Sequence, residues 1–139
     1  MSVQAYLYVS RDDQEAVHFD STPDSFLDCE KYTSFTSLEL STLWAGVRGV
    51  AWDVNLLDEF PAVLQRGGGE RSICRLPHAM VSEMAPFGPP EIETAAIKWA
   101  ATEEMRCEPV DVQPIIQGLV RLAKIASETG KNIYFWNCV

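Results

Sequence analysis

The sequence predicts an α+β fold, with a small sheet that includes strands from both ends of the chain and four or five helices packed against it. Val3, Ala5, Leu7 and Val9 alternate with Gln4, Tyr6, Tyr8 and Ser10, the period of two expected of a strand with one face on a core. Residues 133–139 read IYFWNCV, a continuous β-branched and aromatic run that suits a strand covered on both faces. Between these ends the patterns are helical, without the strand–helix alternation of a parallel sheet.

The first strand covers the opening residues, with the closing strand in the same sheet as its neighbour. The acidic stretch that follows is expected to add short strands around residues 16–19 and 32–35. Thr36 with Glu39 three residues on forms a capping box, after which Leu40, Leu43, Trp44 and Val47 recur at helical spacing until Gly49. Asp53 caps a second helix through Leu56, Leu57 and Phe60, continued beyond Pro61 through Val63 and Leu64 to Gly67. Pro77 opens a short third helix through Met80, Val81 and Met84, stopped by Pro-Phe-Gly-Pro-Pro. Pro89 and Pro90 open a fourth, with Ile92, Ala95, Ala96 and Trp99 as its apolar stripe and an end near Arg106. Asp111 is the expected N-cap of the last helix, with Pro114 in its first turn and Gly130 past its end. Ile115, Ile116, Leu119, Leu122, Ala123 and Ala126 face inward there, and Gln117, Arg121, Lys124 and Glu128 outward. A Gly-Lys-Asn turn then feeds the final strand.

The chain has 139 residues, 47% of them apolar and 22% charged, which suits one globular domain spanning 1–139. No apolar run approaches the ~18 residues of a membrane span, and the start lacks a signal peptide's basic region, so the expected location is the cytoplasm. Cys29, Cys74, Cys107 and Cys138 are far apart and set among apolar residues, which predicts buried free thiols. Structural zinc needs ligand pairs two to four residues apart, and none is present, so no metal or cofactor is expected.

Charge is unevenly placed. The first sixty residues hold three cations against eleven carboxylates, whereas the rest hold eight against nine, for a net −9. The densest part is 11–30, where Asp12, Asp13, Glu15, Asp20, Asp24, Asp28 and Glu30 stand against Arg11 and no other arginine. Such a surface repels nucleic acid, whose phosphates reward lysine and arginine, and attracts basic proteins. Trp52, beside Asp53, is the tryptophan expected to be partly exposed, and an aromatic next to acids suits a protein-binding anchor.

A second candidate site is the glycine cluster Gly67-Gly68-Gly69 with Arg66, Arg71 and Arg75 around it. Glycines at positive φ can aim backbone N–H groups at an anion, and the guanidiniums add charge-assisted hydrogen bonds. Neither the dinucleotide-binding spacing nor the Lys-Ser or Lys-Thr of a phosphate loop is present, so a flexible loop ending a helix is the simpler reading. No catalytic constellation stands out. His18 and His78 have structural explanations, and Cys74 is marked only by Arg71 and Arg75, which could lower its pKa. The adjacent pairs Asp58-Glu59 and Glu103-Glu104 point about 100° apart on a helix and converge on nothing.

Three segments together resemble the YfbM-like family of small bacterial proteins. They are LSTLWAGVRG at 40–49, the triple-glycine loop with Arg-Leu-Pro leading into a short helix over 67–84, and the closing helix with Gly-Lys-Asn-Ile-Tyr-Phe-Trp at 130–136. The resemblance implies an α+β fold with strands at both ends and brings no catalytic residues. The leading expectation is therefore a non-enzymatic acidic protein, similar in type to immunity or antitoxin-like proteins. Asp12, Asp13, Glu15, Asp20, Asp24, Asp28, Trp52 and Asp53 would face a basic partner. The alternative is a module, or a cryptic enzyme, that binds a small molecule or anion through Arg66, Gly68, Gly69, Arg71 and Arg75. Convergence of the three arginines on one concavity would separate the two.

Overall fold

The computed structural model describes residues 4–19, 22–33, 35–67 and 71–138. The strands are β1 (Gln4–Ser10), β2 (Cys29–Thr33), β3 (Ala62–Arg66), β4 (Arg71–Arg75) and β5 (Asn132–Cys138). The helices are α1 (Asp13–Ala16), α2 (Ser37–Arg48), α3 (His78–Met84), α4 (Pro89–Ala100) and α5 (Pro109–Thr129), with single 3-10 turns at Pro23–Ser25 and Val54–Glu59. The α+β architecture is as the sequence predicts. The sheet order is β2-β1-β5-β4-β3, antiparallel at every pairing, so the two terminal strands are neighbours in its middle.

Alternation gives the sheet two distinct faces. Ala5, Leu7 and Val9 of β1 and Ile133 and Phe135 of β5 join the large core under α2–α5, together with Cys74 and Leu76. Tyr6, Tyr8, Tyr134 and Trp136 point the other way and form a smaller aromatic cluster with Ile73, covered by residues of the acidic stretch. β5 is therefore buried on both faces, which is why its sequence is apolar throughout rather than alternating.

Trp99 of α4 locks the helical layer. Its ring is buried edge-on against Phe35, and its Nε1–H donates to the Glu39 carbonyl at 2.9 Å and to Thr42 Oγ1 at 3.1 Å, tying α4 to α2. The capping box of α2 is formed, with the Glu39 carboxylate accepting from the Thr36 amide at 3.1 Å, and Gly49 closes the helix at φ 71°. Among the described residues no helix is long and apolar enough to cross a membrane.

Several boundaries differ from expectation. The second helix is only a 3-10 turn, and its expected continuation is strand β3. A register shift between Ala62 and Leu64 lets the consecutive Val63 and Leu64 both pack on the aromatic cluster, a spacing that imitates a helix. The triple-glycine loop therefore joins two strands rather than ending a helix. β4 was not foreseen. Residues 16–19 are the end of α1 and a loop instead of a strand, and the strand expected at 32–35 lies at Cys29–Thr33. α4 stops at Ala100, which places Glu103 and Glu104 in the following turn. α5 begins earlier than expected, capped at Glu108, whose amide donates to Asp111 at 3.2 Å. Asp111 is thus the third helical residue, and Pro109, not Pro114, sits in the first turn. All four thiols are free, but only Cys74 is fully buried.

Candidate functional site

Described residues of the acidic stretch, among them Ala16, Phe19 and Phe26, cover the aromatic face of the sheet. Asp12 caps α1, its carboxylate accepting from the Glu15 amide at 2.9 Å, and the Tyr8 hydroxyl donates to the Ala16 carbonyl at 2.7 Å, pinning the helix to β1. Farther on, the Val9 amide donates to the Asp28 carbonyl at 3.0 Å, while Phe19 and Phe26 stack around the Tyr8 ring. Hydrophobic contact holds its described residues down, with Asp12, Asp13, Glu15 and Asp24 at the surface, whereas Glu30, opposite Leu7 on β2, lies on the helical face of the sheet against Gly118 and Arg121 of α5.

Those charges are partly answered by arginines from distant parts of the chain. Arg75 Nη1 donates to both carboxylate oxygens of Asp13, at 3.1 and 3.0 Å, and the Tyr134 hydroxyl donates to Oδ1 at 2.6 Å. The Tyr134 hydroxyl is the chief reason that the Asp13 carboxyl lies below its ordinary range; partial desolvation opposes this, and Arg75 reinforces it. Arg121 of α5 reaches Glu30 at 2.9 Å and Asp28 at 3.8 Å. Glu15 accepts from the Arg11 amide and the Ser10 hydroxyl, each at 3.1 Å, and both lower its pKa. Asp24 is exposed on the 3-10 turn, and among the described residues no cation pairs with it. Asp20 lies outside the described residues.

Trp52 and Asp53 stand elsewhere. Trp52 is 40% exposed, and its Nε1–H donates to Ser41 Oγ of α2 at 2.9 Å; Asp53 caps the 3-10 turn through the Asn55 amide at 2.8 Å. Both belong to the helical side, so the structure does not join them to the cover formed by 12–28.

The arginine cluster divides in two. Arg71, Ile73 and Arg75 alternate along β4 and share the aromatic face, but Arg71 and Arg75 are four residues apart, about 13 Å along a strand. Arg75 is committed to Asp13. Arg66 and Arg71, directly opposite in the β3–β4 ladder, flank a hollow of about 60 Å³ floored by Ile73 and Trp136. The three arginines therefore do not converge, and Gly68 and Gly69 lie outside the described residues. Cys74 is the buried free thiol that the sequence predicts; it faces the helices, away from these arginines, and burial pushes its thiol up to about 12, with no lowering by Arg71 or Arg75. Among the described residues no cluster of metal-ligating side chains occurs.

Sequence reasoning missed that Arg75 and Arg121 fold back onto the acidic stretch. Only the outward position of Arg121 on α5 and the alternation around Ile73 hinted at it. Comparison with protein-family models, curated proteins and solved structures returned no match.

Proposed function

We propose that the protein acts by binding a basic protein through the surface built on residues 11–30, in the manner of an immunity or antitoxin-like protein rather than an enzyme. One observation carries the reading. Five of the six described carboxylates of this stretch (Asp12, Asp13, Glu15, Asp28 and Glu30) share three guanidiniums, those of Arg11, Arg75 and Arg121, and the sixth, Asp24, pairs with none, so carboxylates exceed their paired guanidiniums by three after folding. These ion pairs also fix the carboxylates in place, which lowers the ordering entropy lost on docking. Long-range attraction from such a surface speeds encounter with a cationic partner and fades as salt screens it. The resemblance to the YfbM-like family brings no reaction to set against this.

The test is co-purification from the host at low and high salt, with Asp24→Lys and Asp28→Asn combined as the variant. The reading expects a basic partner that is retained at low salt, released as ionic strength rises, and lost from the variant while its melting temperature stays unchanged. An acidic partner, no partner at low salt, or undiminished retention by the variant would sink it.

A further inference from the structure

We propose that the groove between α2 and α4 binds a small monocarboxylate, its head group held by Lys98 and its apolar body seated beside Gly46, Val47 and Phe87. Trp99 ties the end of α4 to the early part of α2 through Glu39 and Thr42. Toward the other end of the helix pair, small residues leave a trough between them, lined by Gly46 and Ala95 with Val47 and Phe87. Gly46, Val47 and Phe87 are each half-buried, so part of their surface is open to an occupant. Val47 and Phe87 pack on the core with the rest, which makes these walls rigid. The trough encloses about 240 Å³, well above the ~150 Å³ cavity that accepts benzene, so a ring with a short chain has room.

Gly46 is an independent pointer to a ligand. It lies in the last turn of α2 with an ordinary helical backbone, a place where alanine is the better helix former. Among the described residues a Cβ there would meet nothing nearer than Lys98 Cβ at 3.8 Å, an ordinary contact, so packing within the chain does not call for glycine. The missing methyl keeps the trough open along the α2 backbone. Lys98 sets the charge of the occupant. Its helical neighbours three and four positions away, Thr94, Ala95, Ala101 and Thr102, are all uncharged, and its apolar stem borders the trough while the ammonium reaches the mouth. The carboxylate that borders the trough, that of Glu91, stands about 10 Å along α4 from Lys98 and accepts from the Gly88 amide at 2.8 Å as the cap of the helix. A ligand is thereby oriented, with its carboxylate toward Lys98 and its apolar body toward Phe87. A bare anion would leave the apolar walls unused, and a neutral body would leave the ammonium unused.

The probe is sodium hydrocinnamate, titrated calorimetrically and by the methyl signals of Val47 and Ala95 in NMR spectra, with hydrocinnamyl alcohol and acetate as comparators. Hydrocinnamate is expected to bind saturably and shift both methyl signals, at least about threefold more tightly than the alcohol, with no detectable binding of acetate. Lys98→Gln should erase the preference for the acid while leaving the melting temperature unchanged, because the lysine is exposed. Gly46→Leu, which puts a side chain into the trough, should abolish binding of acid and alcohol alike; Lys98→Gln carries the test if that variant folds poorly. Absence of saturable binding, binding that shifts neither methyl, equal affinity for the alcohol, or undiminished binding by either folded variant would each overturn the proposal.

Discussion

Replacing Gly118 with alanine should destabilise the protein, although alanine is the better helix former. Gly118 lies in the middle of α5, where glycine costs about 1 kcal/mol relative to alanine. A Cβ at this position would fall 1.9 Å from the Tyr32 hydroxyl oxygen and 3.3 Å from Glu30 Cγ and Cδ. Normal contact begins near 3.5 Å, so the Tyr32 ring or the helix has to move by roughly 1.5 Å. Glu30 is flexible and can yield, but the Tyr32 ring packs on Phe35 at 5.7 Å and has little room. Overpacking of this kind costs about 1–3 kcal/mol, and the gain in helix propensity offsets about 1. The net loss of up to about 2 kcal/mol corresponds to a fall of up to roughly 7 °C in melting temperature for a domain of this size. Urea denaturation should show a lower midpoint at unchanged slope. Among the described residues the Tyr32 hydroxyl is buried without a hydrogen-bond partner, so Tyr32→Phe alone should be neutral or stabilising by up to about 1 kcal/mol. The penalty of Gly118→Ala should shrink in that background. A Gly118→Ala protein as stable as the parent, or a penalty that Tyr32→Phe leaves unchanged, would refute the reasoning.

Three further outcomes follow from contacts described above. Because the folded Asp13 carboxyl lies below its ordinary range, it contributes stability that is present above the unfolded carboxylate pKa of ~4 and lost as pH falls through the folded value; Asp13→Asn should flatten the acid limb of the stability–pH curve, with a loss near neutral pH of no more than about 1 kcal/mol for so exposed a pair. Cys74 should resist thiol reagents until global unfolding, whereas the more accessible Cys107 reacts in the native state, an order that labelling and mass spectrometry can read. Trp99→Phe removes both indole hydrogen bonds and leaves a small cavity, while the Thr42 hydroxyl still donates to the Glu39 carbonyl at 2.6 Å, so chemical denaturation should register a loss of about 1–2 kcal/mol.

What the sequence made legible depended on how local its causes were. β1, α2 and α5 were readable because their periodicity and most of their caps lie within the element, and β5 because burial on both faces leaves an unbroken apolar run. β3 was misread because its bulge brings two successive residues to one face, and five-residue β4, with arginine at both ends, carries too little pattern to announce a strand. The acidic stretch was visible as charge but not as a partly neutralised surface. Its partners Arg75 and Arg121 lie far along the chain from Asp13 and Glu30, and counting neighbours in sequence cannot find them. The arginines separate for the complementary reason: Arg71 and Arg75, close in sequence, are held apart by the rise of β4, while Arg66 lies opposite Arg71 on β3.

The pairing of β1 with β5 in the middle of the sheet also governs how the molecule assembles. Gln4 lies opposite Cys138 and Ser10 opposite Asn132, so the central ladder closes a loop containing most of the chain. Without β5, the sheet is two separate hairpin-like pairs, β2 with β1 and β4 with β3, that share no edge. Loop-closure entropy is therefore lost before the aromatic and helical cores gain their common wall, which predicts slow folding. A circular permutant that joins the two ends by a short turn and opens the chain in an exposed loop would convert this longest-range ladder into a local hairpin. It should fold faster around the same core.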